Sequence, residues 1–370
     1  HRRGTRATYA RTRPRRVVAG PGGERAPVPW VDVDAVLEGE VDGDVDAVVE
    51  AMADGAPPVS PDGARVAGGE RIVDVLAGGA VGVTGGITMT ESLNVLEHFA
   101  PLPPFGSTKY VHLLTESYRR AFTDRNQTLG DPAFIKNPVD KLISKSYAKS
   151  LAAQIEPSRA SKTAAFNAGV EPIHTTHYSV VDAKGNAVAT TTTLNGGFGS
   201  GVWVRGGGFF MNNEMDDFAA QPGSPNMFGL VQGESNAIQP GKRMLSAMSP
   251  TIVLDQQGKL LMVTGAAGGP TIITATMEVI LNVIEFHMTL ADAMRAPRMH
   301  HQALPDTIRV EADGFSGAML DSLKGMGHAV RGQTGLANVN AILRVAGGWH
   351  GVRDARCVGG AGGGWLVLCA

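Results

Sequence analysis

At 370 residues the chain can bury a large core, in one large domain or two ordinary ones. A formal net charge of −2 gives no basic footprint, so no nucleic-acid partner is expected, and no apolar run reaches the ~18 residues of a membrane span. With 48 glycines against 6% aromatics, the composition suits tight turns and close backbone approaches, not a fibrous or repeat protein.

The first 25 residues hold eight arginines, and the stretch from Val31 to Gly55 is strongly acidic. Such block polarity marks a poorly ordered segment or an interaction tail. Pro and Gly continue from Pro57 to Gly79, so no element is expected before about Gly82. The first residues also lack the apolar core of a signal peptide. From Gly85 the spacing of Ile87, Leu93, Val95, Leu96 and Phe99 predicts a helix to about His98, ended by Pro101 to Pro104. Thr108 to Phe122 predicts a second helix, with Tyr110, Leu113, Leu114, Ser117 and Ala121 along one side, and Asp140 to Ile155 a third. A stretch without strong period then runs to His174 and reads as an exposed linker.

At Thr175 the pattern becomes strand-like: Thr175 to Asp182, a turn at Ala183 to Asn186, then Ala187 to Leu194. A second hairpin is predicted from Thr251 to Leu254 and Leu260 to Thr264, followed by a glycine loop, Gly265 to Gly269, and a helix over Thr271 to Phe286. Strands and helices in such blocks point to an α+β fold of layered sheets covered by helices. In the first hairpin, a turn near Lys184-Gly185 sets Thr175 opposite Thr193, Leu194 or Asn195, with Thr191, Thr193 and Asn195 on one face. Cross-strand threonine pairs are also ordinary sheet stabilisers, so geometry alone does not make Thr175 reactive.

The glycine loop, between strand and helix, offers free N–H groups for an anion but lacks the GxxxxGK[ST] pattern of nucleotide loops. His300-His301 has no third ligand at metal spacing and reads as structural. Met211, Met215, Met244 and Met248 read as core packing. The two cysteines, Cys357 and Cys369, lie in a Gly-rich tail without a CxxC pair or nearby histidine, which leaves a structural disulfide as an option.

The run TTHYSVVDAKGNAVATTTTLNGGFG, Thr175 to Gly199, resembles the signature of γ-glutamyltransferases at the start of their small subunit. Similarity extends through GGITMTESLNVLEHF (Gly85 to Phe99), TDRNQTLGDPAF (Thr123 to Phe134), NNEMDDF (Asn212 to Phe218), GKRMLSAMSPTIV (Gly241 to Val253), TGAAGG (Thr264 to Gly269) and APRMHHQ (Ala296 to Gln302). It covers roughly Gly85 to Gly351. The resemblance implies the four-layer αββα sandwich of N-terminal-nucleophile hydrolases and self-cleavage between His174 and Thr175, with Thr175 as nucleophile and Thr193 bonded to its hydroxyl. It further implies that Gly268 and Gly269 hold the oxyanion, that Asn195, Glu214 and Asp217 bind the substrate's α-amino group, and that Ser246 helps to bind its carboxylate. Gln221 to Asn236 resembles a loop that lids the pocket.

The substrates implied are glutathione or other γ-glutamyl compounds, with an amino acid or peptide as acceptor, two subunits from one precursor, no metal or other cofactor, and a periplasmic or secreted location. The domains expected are an atypical, poorly ordered region over residues 1–84, the C-terminal part of a large subunit over 85–174, and the small subunit over 175–370. Three departures stand out. Ala247 replaces the second of two adjacent serines, no segment before Gly85 supplies the large subunit's upstream part with its carboxylate-binding arginine, and residues 354–370 differ from the family's usual ending. These departures also admit a related amidase or acylase, acting on a cephalosporin side chain or a small oxo-acid amide, or an inactive fragment.

Overall fold

A computed structural model describes residues 75–77, 84–163, 175–356, 361–362 and 366–369. In chain order these form β1 (Val75–Ala77), α1 (Gly85–Glu97), α2 (Thr108–Thr128), α3 (Val139–Leu142), α4 (Lys145–Ala152), β2 (Thr175–Val181), β3 (Ala187–Thr193), β4 (Trp203–Val204) and β5 (Phe209–Phe210). There follow β6 (Thr251–Leu254), β7 (Leu260–Ala267), α5 (Thr271–Ile284), α6 (Leu290–Arg295), β8 (Met299–His300), β9 (Ile308–Glu311) and α7 (Gly317–Gly325). The last strands are β10 (Val330–Gln333), β11 (Asn338–Val345), β12 (Gly348–Arg353), β13 (Ala361–Gly362) and β14 (Leu366–Cys369). Among the described residues no helix is long and apolar enough to cross a membrane.

Two antiparallel sheets stack on each other. One has the order β1-β6-β7-β11-β12 and the other β13-β14-β2-β3. Alternation along β7 assigns its faces: Met262 and Ala266 join the main core with helices α1, α2 and α5, while Val263 meets Val181 and Ile342 between the sheets. The fold is α+β, and of the expected layers the described residues supply helices, the five-stranded sheet and the sheet that carries Thr175. Strand β3 is half-exposed along most of its length.

Several sequence boundaries move for physical reasons. Val75–Ala77 pairs with Thr251–Val253 at the edge of the larger sheet, a strand too short to show a period, so ordered structure begins before Gly82. Helix α2 starts where Ser107 accepts the Tyr110 N–H at 3.2 Å and runs past Phe122 to Thr128. The third predicted helix is two, because Ser144 accepts the Tyr147 N–H at 3.2 Å and caps a new start. Strand β7 continues to Ala267, so the glycine loop shrinks to Gly268, Gly269 and Pro270. Of the predicted exposed linker, residues 156–159 are exposed, but the chain is then tied down, since Ala160 N–H donates to Met326 O at 2.8 Å, Ser161 N–H to Glu116 at 3.1 Å and Thr163 N–H to Asp306 at 2.8 Å; residues 164–174 lie outside the described residues.

His300 and His301 are fully buried and bonded, His300 to Thr274 and Gln302, His301 to Asp306 and the Ala303 N–H. The methionine reading needs correction: Met248 packs against the core, whereas Met211, just after β5, and Met215, in the 3₁₀ turn Glu214–Asp217, are exposed, as are Phe198, Trp203 and Phe209. Beyond β12, buried Asp354 pairs with buried Arg298 at 2.5 Å, and Arg356 pairs with Glu311 at 2.5 Å. Strand β14 lies beside β2, with Cys369 opposite His177. Cys357 lies outside the described residues and only the backbone of Cys369 is described, so the disulfide option falls outside them too.

Candidate active site

The β2–β3 register sets Thr175 directly opposite Thr193, the first of the sequence alternatives, and their hydroxyls lie 3.1 Å apart. Asn195, just past β3, adopts a left-handed backbone with φ 71°. Its N–H donates to Thr193 Oγ1 at 2.8 Å, which bends the chain back over the hydroxyl pair, and its Nδ2 donates to Asn213 O at 3.3 Å. The acceptor left for a ligand is therefore Oδ1. His174 lies outside the described residues.

A cavity of about 370 Å³, counted with its open mouth, gathers Thr175, Thr193, Asn195, Asp217, Ser246 and Gly269. Each comes from a different element. Ser246 and Ala247 sit side by side on the lining, where the N-terminus of α1 abuts their loop: a Cβ on Gly85 would lie 2.8 Å from Ala247 O and Met248 O. Ser246 Oγ accepts the Met248 N–H at 3.2 Å. Gly268 and Gly269 turn the chain from β7 into α5 with φ of 149° and 56°, values open to glycine and strained for other residues. A Cβ on Gly268 would lie 2.5 Å from Thr271 Oγ1 and 2.9 Å from Ala337 Cα.

Glu214 and Asp217 occupy one 3₁₀ turn, Glu214–Asp217. Burial raises both carboxyls, and for Asp217 the adjacent Glu214 adds to the rise, carrying it well above the usual carboxylate range against the opposing pull of Arg125. Of the pair, Asp217 lines the cavity. The sequence reading missed Arg125, a fully buried guanidinium on α2 that also lines it and whose Nε has no hydrogen-bond partner. Burial lowers this group to about 10, with Asp217 resisting the shift. The signal was present, since Arg125 lies inside TDRNQTLGDPAF. Phe228, Leu230 and Gln232 complete an inner wall, so part of the predicted lid segment is packed against the cavity.

Behind Thr175 on the same strand, burial holds His177 neutral by lowering it to about 3. Elsewhere His112, Glu116 and His328 bring ligand-type atoms within 4.8 Å of one another, but none of them lines the cavity. Both Glu116 oxygens there accept arginine N–H groups, from Arg119 and Arg120, which disfavours a cation.

Residues 76–364 match the family model for γ-glutamyltranspeptidase. The chain belongs to that family. The match reaches beyond Gly85 and Gly351 on both sides. The glutathione hydrolase proenzyme of Pseudomonas aeruginosa is 46% identical over 255 residues, 68% of this chain and 46% of that protein. That of Escherichia coli is 43% identical over 281 residues, 74% of this chain and 48% of the relative. The chain thus spans about half the length of these curated family members. The fold also matches the solved cephalosporin acylase of Bacillus halodurans, with a TM-score of 0.66 at 23% identity over 79% of this chain and 51% of that one.

Proposed function

We propose that the chain cuts itself between His174 and Thr175, leaving a large-subunit part that ends at His174 and a small subunit from Thr175, and that the freed threonine transfers γ-glutamyl groups. One observation carries this reading. Thr175, the first residue of β2, is bonded through its hydroxyl to Thr193 inside a cavity that also holds Asn195, Asp217, Ser246 and Gly269. Identity of 43–46% to glutathione hydrolase proenzymes supports it.

Among the described residues that line the cavity, the ionisable side chains are Arg125 and Asp217, so no imidazole stands ready as a base. A threonine hydroxyl is a weak nucleophile at neutral pH, and an α-amino group titrating near ~8 is a suitable base. Cutting supplies that amine on Thr175 itself. The amine takes the hydroxyl proton as Oγ1 attacks the γ-amide carbon of glutathione or a related compound. The resulting oxyanion is held by the Gly268 and Gly269 N–H groups. Collapse breaks the amide bond, the leaving amine takes the proton, and a γ-glutamyl ester remains on Thr175. Water releases glutamate from it, or the amine of an amino acid or peptide takes the acyl group. Asn195, Glu214 and Asp217 supply acceptors for the substrate's ammonium, and Ser246 a donor for its carboxylate.

A denaturing gel with N-terminal sequencing tests the reading. A fragment that begins at Thr175, and that disappears in Thr175→Ala, is the expected result; one intact band from the unaltered chain would sink it. Ala247 favours a second reading, a related amidase that needs a weaker carboxylate clamp. The two anilides share the carboxylate and differ in the α-amino group, so faster turnover of a glutaryl than of a γ-glutamyl anilide would count against amino recognition by Asn195, Glu214 and Asp217 and select the amidase.

A further inference from the structure

Two residues along β2 from Thr175 stands His177, a fully buried imidazole that the proposed chemistry leaves unused. Alternation puts Thr175, His177 and Ser179 on the strand face turned toward the five-stranded sheet. The ring is fixed within its own sheet, Nδ1 to Thr191 Oγ1 at 2.7 Å and Nε2 to Ser179 Oγ at 3.1 Å. Across the interface it rests against the backbone of Gly265 on β7: a Cβ there would lie 2.5 Å from Nδ1 and 2.7 Å from Nε2. Gly265 is paired with Asn340 of β11, and Asn340 Nδ2 donates to the backbone oxygen of His177 at 2.8 Å. From this contact β7 runs to Ala267, and Gly268 and Gly269 follow at once.

We propose that His177 is a positioning residue, its imidazole seated in the space left by Gly265 so as to set the spacing between the strand of Thr175 and the strand that delivers the Gly268 and Gly269 amides. The inference rests on the reading of Thr175 as nucleophile. The reacting hydroxyl and the oxyanion amides belong to different sheets, so their separation depends on inter-sheet packing near this end. Further along, that packing is aliphatic, with Val181, Val263 and Ile342, and aliphatic contacts are non-directional. The ring bonded at both nitrogens and the Asn340 bond fix one arrangement. A displacement of about 1 Å in such a geometry costs on the order of 10²-fold in rate.

The test combines Gly265→Ala, which puts a methyl group where the ring lies, with His177→Ala, which clears the space. The rate of cutting before Thr175 is measured, then kcat and KM for a γ-glutamyl anilide, all well below each variant's melting temperature. Gly265→Ala is expected to lower kcat by about 10²-fold with KM nearly unchanged, and adding His177→Ala to restore most of it. A double variant slower than Gly265→Ala alone would overturn the proposal. His177→Leu keeps the bulk and loses both hydrogen bonds; it covers the case in which Gly265→Ala does not fold. It is expected to lower kcat roughly tenfold at constant KM, and an unchanged kcat would also overturn the proposal. If the unaltered chain stays whole, the proposed function fails separately, and the contact is then read from melting temperatures: non-additive shifts for the two alanine variants support it, additive shifts refute it.

Discussion

At the end of the cavity proposed to react, Thr175 and Thr193 are placed by strand register, while at the end proposed to recognise the substrate Asn195, Asp217 and Ser246 stand on separate loops and turns and Arg125 on helix α2. The two constructions respond differently to change. Register cannot drift gradually, because a slip of one residue turns every side chain to the other face. A loop can exchange one donor and leave the rest in place, as at Ala247 beside Ser246. On the proposed function, substrate choice can therefore vary while the strand-borne end of the cavity stays fixed.

Substitutions at the two ends should separate in kinetics. Gly268→Ala, in a turn with no room for a methyl group, is expected to lower kcat by about 10²–10³-fold with little change in KM; a loss below tenfold would remove this amide from the oxyanion site. Asp217→Asn takes away the carboxyl that a bound ammonium would draw into its ionised form, a charge-assisted hydrogen bond worth about 1.5–3 kcal/mol. KM for a γ-glutamyl anilide should rise roughly 10- to 100-fold while that for a glutaryl anilide stays level, and equal changes for both would deny Asp217 its ammonium. Ala247→Ser should act in the other direction, lowering the γ-glutamyl KM about fivefold through one added hydrogen bond of about 1 kcal/mol; no change would mean that the lost serine does not limit binding.

The least effect on catalysis is expected from Glu116, which lines no part of the cavity. Burial alone would raise this carboxyl, but hydrogen bonds from Ser161 and Arg120 and the charges of Arg119 and Arg120 bring it from 4.5 to about 2. A depressed acid stabilises the fold above its unfolded pKa and loses that contribution as pH falls through its folded one. Urea melts should accordingly weaken between about pH 4.5 and 2, by on the order of 3 kcal/mol in total, and Glu116→Gln should flatten that slope. A slope that survives the substitution would assign the acid loss to other carboxyls.

Sequence reasoning brought Thr175 close to Thr193 because that pairing is local. Period-two alternation and a short turn narrow the partner of Thr175 to Thr193, Leu194 or Asn195, and the family motif names Thr193 among them. Helix α2 was legible for a similar reason: Tyr110, Leu113, Leu114, Ser117 and Ala121 are all buried, as their spacing predicts. What escaped was long-range or too short to carry a period. Arg125 reaches the cavity from a helix 50 positions before Thr175, and apart from its place inside the TDRNQTLGDPAF motif nothing local distinguishes it from a solvated arginine. The 3-residue strand β1 acquires its conformation from β6. Met211 and Met215 have the composition of a core and the position of a surface loop.

The segment over residues 84–163 and the part from Thr175 onward share one core, in which Leu114 and Phe122 pack in the same cluster as Ile273, Met277 and Val339. The tethers from Ala160 to Met326 and from Thr163 to Asp306 hold the end of that segment to the later part by bonds that do not depend on the backbone between it and Thr175. Cutting before Thr175 would leave the two pieces interleaved. It would also change the order of their reassembly after denaturation: a chain that first folds as one molecule would refold as two, at a rate that falls with dilution.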